Sequence, residues 1–184
     1  MMTPMRPCGP GMLAAACAVM LAVAGCGGQG ALPENNPAMA KPGLEGVQVI
    51  AAEELKSLLE RNRGRVTVIN LWATWCPPCV AEMPELQQFH DRNADRDVFL
   101  AAVSADAVET LETAVSPFVK KQSLSFPVYI LKEVDPDELG RMLGAEISGA
   151  LPTTLVYSRD GKLAKIWEGQ IHLSDLENVV SPLL

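Results

Sequence analysis

The sequence predicts an α/β fold with a mixed central sheet flanked by helices. Three observations carry that expectation. Arg65–Trp72 and Asp97–Ser104 are dense apolar runs, the signature of strands buried on both faces. The segments between the strand-like runs repeat apolar residues at helical spacing, as in β-α-β units with parallel strands. Near the C-terminal end, two strand-like runs flank Arg159-Asp160-Gly161-Lys162, a tight hairpin turn that makes the sheet mixed.

The elements follow in order. Val47–Ile50 reads as a short strand. Ala51–Arg61 places Ala51, Leu55, Leu58 and Leu59 on one helical face. Arg65–Trp72 is the central strand. Pro77–His90 carries Met83, Leu86 and Phe89 at helical spacing. Asp97–Ser104 is the next buried strand. Val108, Leu111, Val115 and Phe118 recur at helix period and predict a helix over Val108–Val119. Phe126–Leu131 is a strand, and Pro136–Leu143 a short helix with Leu139, Met142 and Leu143 inward. Thr153–Ser158 and Leu163–Glu168 form the hairpin. Ser174 is the expected cap of a last helix that turns Leu176, Val179 and Val180 inward. The acidic pairs Glu53/Glu54 and Asp135/Asp137 fall in first helical turns, where they complement the helix dipole.

Composition excludes several function classes. A chain of 184 residues sets a prior of about one domain. Its formal charge is -7, from 22 Asp+Glu against 15 Lys+Arg. No basic stripe for double-stranded nucleic acid is visible, so no nucleic-acid partner is expected. Five cysteines are too few for a disulfide-stapled mini-fold, and the two histidines stand far apart, against a histidine-based zinc site.

The N-terminus reads as a targeting segment. Arg6 precedes Gly11–Ala24, GMLAAACAVMLAVA, which is too short for an ordinary spanning helix and fits a signal h-region. The run ends Val23-Ala24-Gly25-Cys26, which resembles the lipobox of bacterial lipoproteins. That resemblance implies a signal peptide over 1–25 and a lipid anchor on Cys26, where several acyl chains hold what one would hold only marginally. Residues 27–46 are rich in Gly, Pro and Asn and read as a flexible tether, leaving 47–184 as the folded domain. Cys8 and Cys17 leave with the signal, so Cys76 and Cys79 are the remaining thiols. The plainer reading is ordinary signal cleavage near this point. Gly27 and Gly28 in place of Asp weakly disfavour retention in an inner membrane, by analogy with enteric sorting rules.

The chemistry centres on Trp72-Ala73-Thr74-Trp75-Cys76-Pro77-Pro78-Cys79, at the end of a buried strand and the start of a helix. Two cysteines three apart can close a small disulfide ring. The first sits where free backbone N–H groups and the helix dipole stabilise a thiolate. The second lies one turn in and suits a resolving thiol. Pro77 fits a first-turn position because its missing N–H would have no partner there. CxxC also occurs as half of a zinc site, but here there is no second CxxC and no histidine nearby. An iron–sulfur site fails on ligand count, and Val80 stands where c-type haem attachment needs His. A structural disulfide over so short a loop adds little by chain entropy, which favours redox exchange. No metal and no cofactor are expected.

WATWCPPC followed by Glu82-Met83-Pro84 resembles the thioredoxin superfamily, specifically the membrane-tethered thiol–disulfide reductases of the TlpA/ResA type. The resemblance spans about 47–184. It implies a thioredoxin-like fold, attack on substrate disulfides by Cys76, and resolution of the mixed disulfide by Cys79. Leu151-Pro152-Thr153 matches the family's cis-proline loop, implying that the Leu151 backbone binds an incoming peptide as a short strand. The helix–strand unit 108–131 resembles the central insertion of this group.

Glu82 lies three residues past Cys79 and is open between two roles. It is either a carboxylate that opposes thiolate formation and relays a proton, as in ResA-like members, or a solvent-facing helix residue. Asn70 stands where minimal thioredoxins carry a buried Asp. An amide is no general base, so proton transfer falls to water or Glu82. Trp75 is expected beside Cys76 on an apolar docking surface with Pro77 and Pro78, Trp72 in or near the core, and Trp167 in packing. His90 and His172 read as surface or capping residues.

The leading expectation is therefore an extracytoplasmic dithiol reductase, anchored in the bacterial cell envelope and monomeric. A membrane thiol carrier of the DsbD or CcdA kind would donate electrons, and oxidised proteins such as apocytochrome c would receive them, as in cytochrome c-type biogenesis. A disulfide oxidase or isomerase is the first alternative, lowered by the lack of a large helical insertion of the DsbA type. A copper-site assembly factor is the second, although such factors use CxxxC with a distant His. A peroxiredoxin is disfavoured because its Pro-x-x-x-Thr-x-x-Cys frame is absent.

Overall fold

The computed structural model describes residues 46–184. The signal segment, Cys26 and the tether up to residue 45 lie outside the described residues.

Six strands form one sheet in the order β1-β4-β3-β2-β5-β6. They are β1 (Gln48–Ile50), β2 (Val66–Trp72), β3 (Val98–Ser104), β4 (Val128–Leu131), β5 (Thr153–Tyr157) and β6 (Leu163–Glu168). The first four are mutually parallel, while β5 runs antiparallel to β2 and to β6, so the sheet is mixed as the sequence predicts. The helices are α1 (Ala52–Arg61), α2 (Pro77–Arg92), α3 (Ser116–Gln122), α4 (Pro136–Leu143) and α5 (Leu173–Val180).

The pleat sorts the central strand between two cores. Val66, Val68 and Trp72 of β2 join Met83, Leu86 and Phe89 of α2 and Leu176 and Val180 of α5 on one face. Ile69 and Leu71 join Leu55 and Leu58 of α1 and Leu139 and Leu143 of α4 on the other. Trp72 is fully buried and packs on Phe118 of α3, ring centroids 5.0 Å apart. Trp167 is half-buried under Lys165.

Three expectations need correction. The helix predicted over 108–119 is broken into a 3-10 turn at Val108–Thr110, a π turn at Leu111–Val115, and then α3. Pro117 is the physical reason. It has no N–H to give Thr113 and its ring displaces that carbonyl, so the chain widens before it and resumes with Pro117 in a first turn. The cap of the last helix is His172, not Ser174. Asp175 reaches back to the His172 N–H at 3.3 Å and fixes the start two residues earlier. The fourth strand begins at Val128 rather than Phe126, because Pro127 has no N–H for the ladder and contributes only its carbonyl, to the Ala102 N–H at 3.0 Å.

Gly140 is the tightest point of α4. A Cβ there would lie 2.6 Å from the Ala145 carbonyl oxygen, backbone that cannot yield cheaply. Gly140→Ala is expected to destabilise the protein by about 1–3 kcal/mol. Urea unfolding checks this as a lower midpoint with an unchanged slope.

Candidate active site

The site forms where β2 ends and α2 begins. The Ala73-Thr74-Trp75 turn between them is held by the loop that follows β3. Asp106, almost fully buried, accepts the Thr74 N–H at 2.8 Å and the Thr74 hydroxyl at 2.6 Å. The Ser104 hydroxyl donates to the same carboxylate at 2.6 Å, and the Ala105 N–H bonds the Trp72 carbonyl at 2.8 Å. These contacts fix the approach to Cys76. Removing the hydroxyl in Thr74→Val leaves Asp106 short of a donor. The expected cost is about 1–3 kcal/mol of stability, measured by denaturant unfolding.

Cys76 caps α2 and is joined to Cys79 by a disulfide. The Cys79 N–H points at Cys76 Sγ, 3.3 Å away. In the reduced state that donor, with the N-terminal end of α2, favours a thiolate on Cys76 over one on Cys79. Cys79 is completely buried and Cys76 is 5% exposed. Pro77 and Pro78 occupy the first helical turn and are exposed. Beside them Trp75 is 67% exposed, the one large apolar side chain among the described residues in that position. Trp75, Pro77 and Pro78 thus form an exposed apolar patch beside the disulfide.

The Leu151–Pro152 bond is cis. Thr153 pairs with Leu71 in the sheet, which brings this loop to the same end as the cysteines. The loop is braced by the Thr153 hydroxyl on the Ala150 carbonyl at 2.7 Å and by the Gly169 N–H on the Pro152 carbonyl at 2.7 Å. The ladder with β2 begins only at Thr153, leaving the Leu151 backbone outside the sheet.

Glu82 is not a solvent-facing residue. It is 0% exposed, one turn beyond Cys79 on α2. Asn70 Nδ2 donates to its Oε1 at 2.7 Å and the Ile171 N–H donates to its Oε2 at 2.9 Å. Burial pushes its pKa up to about 7, and the two donated bonds resist that rise. Asn70 also donates to Thr154 Oγ1 at 3.0 Å. One turn further along α2, Glu85 grips the same loop. It accepts the Leu173 N–H at 2.6 Å and pairs with His172 Nδ1 at 2.9 Å. His172 and the Leu173 N–H hold Glu85 below the usual carboxylate range, and Glu85 raises His172 in return.

His172 is exposed and caps α5, as expected. His90 lies in the last turn of α2, and its carbonyl accepts the N–H of the capping Asn93 at 3.1 Å. Its ring is half-buried edge-on to Phe126 at 5.8 Å, and burial lowers its pKa. Among the described residues no cluster of three His, Cys, Asp or Glu side chains could hold a metal ion. Sequence reasoning missed Asp106, Thr154, Ile171 and the Glu85–His172 pair. The β2–β3 register, with Trp72 opposite Ser104, is the signal that would have led to Asp106.

Comparison with known proteins places this geometry. The redoxin family model matches residues 42–180. Thiol-disulfide oxidoreductase ResA of Bacillus cereus is 32% identical over 140 residues, covering 76% of this chain and 71% of the relative. Sporulation thiol-disulfide oxidoreductase A of Bacillus subtilis is 26% identical, covering 74% of this chain and 79% of the relative. A crystal structure of a thioredoxin-family thiol:disulfide interchange protein from Chlorobium tepidum superposes with a TM-score of 0.56 at 25% identity, covering 67% of this chain and 83% of that one. With a cysteine pair closed as a disulfide at a helix cap, the chain belongs to the redoxin family, as a thiol-disulfide oxidoreductase of the ResA type on a thioredoxin-like fold.

Proposed function

We propose that the protein is a reductase of disulfides in other proteins, working outside the cytoplasm from a lipid anchor on Cys26. The observation that carries the reducing direction is the buried Glu82 carboxylate one turn from Cys79. A carboxylate beside a dithiol disfavours thiolate, so the reduced form gains little stabilisation and gives up its electrons readily. Strong oxidants do the opposite and stabilise their reduced form.

In the proposed cycle the Cys76 thiolate attacks one sulfur of a substrate disulfide. A mixed disulfide forms, and the other substrate sulfur leaves as a thiolate that takes a proton from water. Glu82 then accepts the Cys79 proton. The Cys79 thiolate attacks Cys76 Sγ, closing the Cys76–Cys79 disulfide and releasing the second substrate thiolate. Glu82 passes its proton to that departing thiolate, so the substrate gains two electrons and two protons, one from water and one from Cys79 by way of Glu82, while the protein loses two electrons and the Cys79 proton. Trp75, Pro77 and Pro78 supply the apolar docking surface, and the Leu151 backbone beside Pro152 and Thr153 pairs with the substrate as a short added strand. A membrane thiol carrier of the DsbD or CcdA kind restores the dithiol. Apocytochrome c, whose haem-binding cysteines must be reduced before attachment, is the proposed target.

The test is trapping in cells with Cys79→Ser in the full chain. Mixed disulfides of Cys76 with apocytochromes are the expected product. Capture of copper-centre proteins alone would overturn the cytochrome reading.

A further inference from the structure

We infer that Asn70 is a positioning residue for Glu82, its side-chain amide turning over as the carboxyl gains and loses its proton. The inference rests on the reading of Glu82 as the acceptor of the Cys79 proton.

Strand register places Asn70 of β2 directly opposite Thr154 of β5. Both side chains point to the α2 face, where Glu82 meets them, and all three residues are completely buried. Asn70 Nδ2 serves two oxygens, Glu82 Oε1 at 2.7 Å and Thr154 Oγ1 at 3.0 Å. Asn70 Oδ1 has no partner among the described residues. A buried amide oxygen left unpaired carries a desolvation penalty and calls for a reason.

The reason lies in what Glu82 is given. Two N–H donors, from Asn70 and Ile171, converge on its two oxygens. That arrangement fits the ionised carboxylate. A protonated carboxyl needs an acceptor for its O–H. The Ile171 N–H is fixed by the backbone and can only donate. The Asn70 amide carries an acceptor at its other end. A half-turn about χ2 brings Oδ1 to the place Nδ2 now holds, where it accepts from the Glu82 O–H and from the Thr154 hydroxyl. One side chain thus serves both protonation states without moving α2 or the sheet. An aspartate at this position could not, because two carboxylates within 2.7 Å would have to share one proton.

The other charged groups near Glu82 do not offer this. Glu85 on α2 and His172 on the loop before α5 pair with each other at 2.9 Å at the outer edge, and Asp175 faces the His172 N–H. Cys79 lies on the same helix and is held in the disulfide. Because burial pushes the Glu82 pKa to about 7, both states are populated near neutral pH, where such a switch operates.

The experiment uses the oxidised full chain, in which no active-site thiol titrates. Glu82 is followed by its side-chain carboxyl 13C signal and Asn70 by its side-chain 15N–1H2 pair, from pH 5 to 9. Both are expected to move with one midpoint, and Glu82→Gln is expected to abolish the movement of Asn70. In Asn70→Leu the Glu82 midpoint is expected to rise by about one pH unit, because the bond Asn70 donates to the charged carboxylate is stronger than the one it accepts from the neutral carboxyl, and both are lost. Asn70 signals that stay still across the Glu82 midpoint would overturn the inference, a result read in the native chain and independent of any variant's folding. An unchanged Glu82 midpoint in folded Asn70→Leu would overturn it too. Co-titration together with a normal exchange rate in Glu82→Gln would support the amide switch and sink only the proton-acceptor reading.

Discussion

Cys76→Ser is expected to abolish catalytic disulfide reduction, with a loss on the order of 10^3-fold or more. Cys79→Ser is expected to react once and stall. The two cysteines differ because the helix treats them differently. Cys76 sits at the cap with the Cys79 N–H 3.3 Å from its sulfur and the N-terminal end of α2 behind it. Cys79 is sealed from solvent and from any protein-sized substrate. In the proposed cycle Cys76 therefore opens the substrate disulfide, and Cys79, as the internal thiol, frees it again. Turnover of an oxidised protein substrate with a recycling reductant checks the first expectation. A gel-shifted adduct that persists until a small thiol is added checks the second. Equal loss in both variants without any stalled adduct would contradict this division of labour.

Glu82→Gln is expected to produce the next largest effects, one on rate and one on stability. In the proposed cycle Glu82 accepts the Cys79 proton, so its loss is expected to slow resolution by about 10^2-fold at neutral pH. Native activity should rise as pH passes about 7, where Glu82 becomes the free base, and that rise should be missing in the variant. The gap should narrow at alkaline pH, where the Cys79 thiol ionises without help. Stability moves the other way. Glu82 binds its proton more tightly in the folded chain than in the unfolded one, its pKa rising from 4.5 to about 7. The stability this contributes is fully present below about pH 4.5 and is lost as pH climbs through about 7. Between pH 5 and pH 8 the loss amounts to about 2–3 kcal/mol. Urea unfolding of the oxidised native protein and of Glu82→Gln at pH 5 and pH 8 measures it as a difference of slopes with pH. Parallel slopes would show that Glu82 titrates normally.

What the sequence disclosed and what it hid follow from the range of the forces involved. The strands of β2 and β3 were legible because burial on both faces leaves unbroken apolar runs. The cysteine pair was legible because its chemistry is local, two thiols one turn apart at a helix cap. Pro152 was legible through its resemblance to a family loop rather than through any local signal. Glu82 marks the boundary. Its place on the helix near Cys79 could be read from spacing, but its burial depends on Ile171, 89 residues away, and on Asn70 across the sheet. No periodicity reports which loop folds over a helix face. Asp106 was silent for the same reason, since its partner Thr74 is brought to it by strand register. The helix at 108–119 failed differently. Its apolar spacing was sound, but Pro117 removed one donor and the ladder slipped into a π turn.

The central claim is that the Cys76–Cys79 pair works as a reductant, and its reduction potential tests this most directly. Equilibration of the full chain against glutathione or dithiothreitol mixtures, followed by alkylation of free thiols, gives the value. A potential near that of thioredoxin, about −270 mV, is the predicted result. A potential at or above about −180 mV, in the range of disulfide isomerases and oxidases, would contradict it.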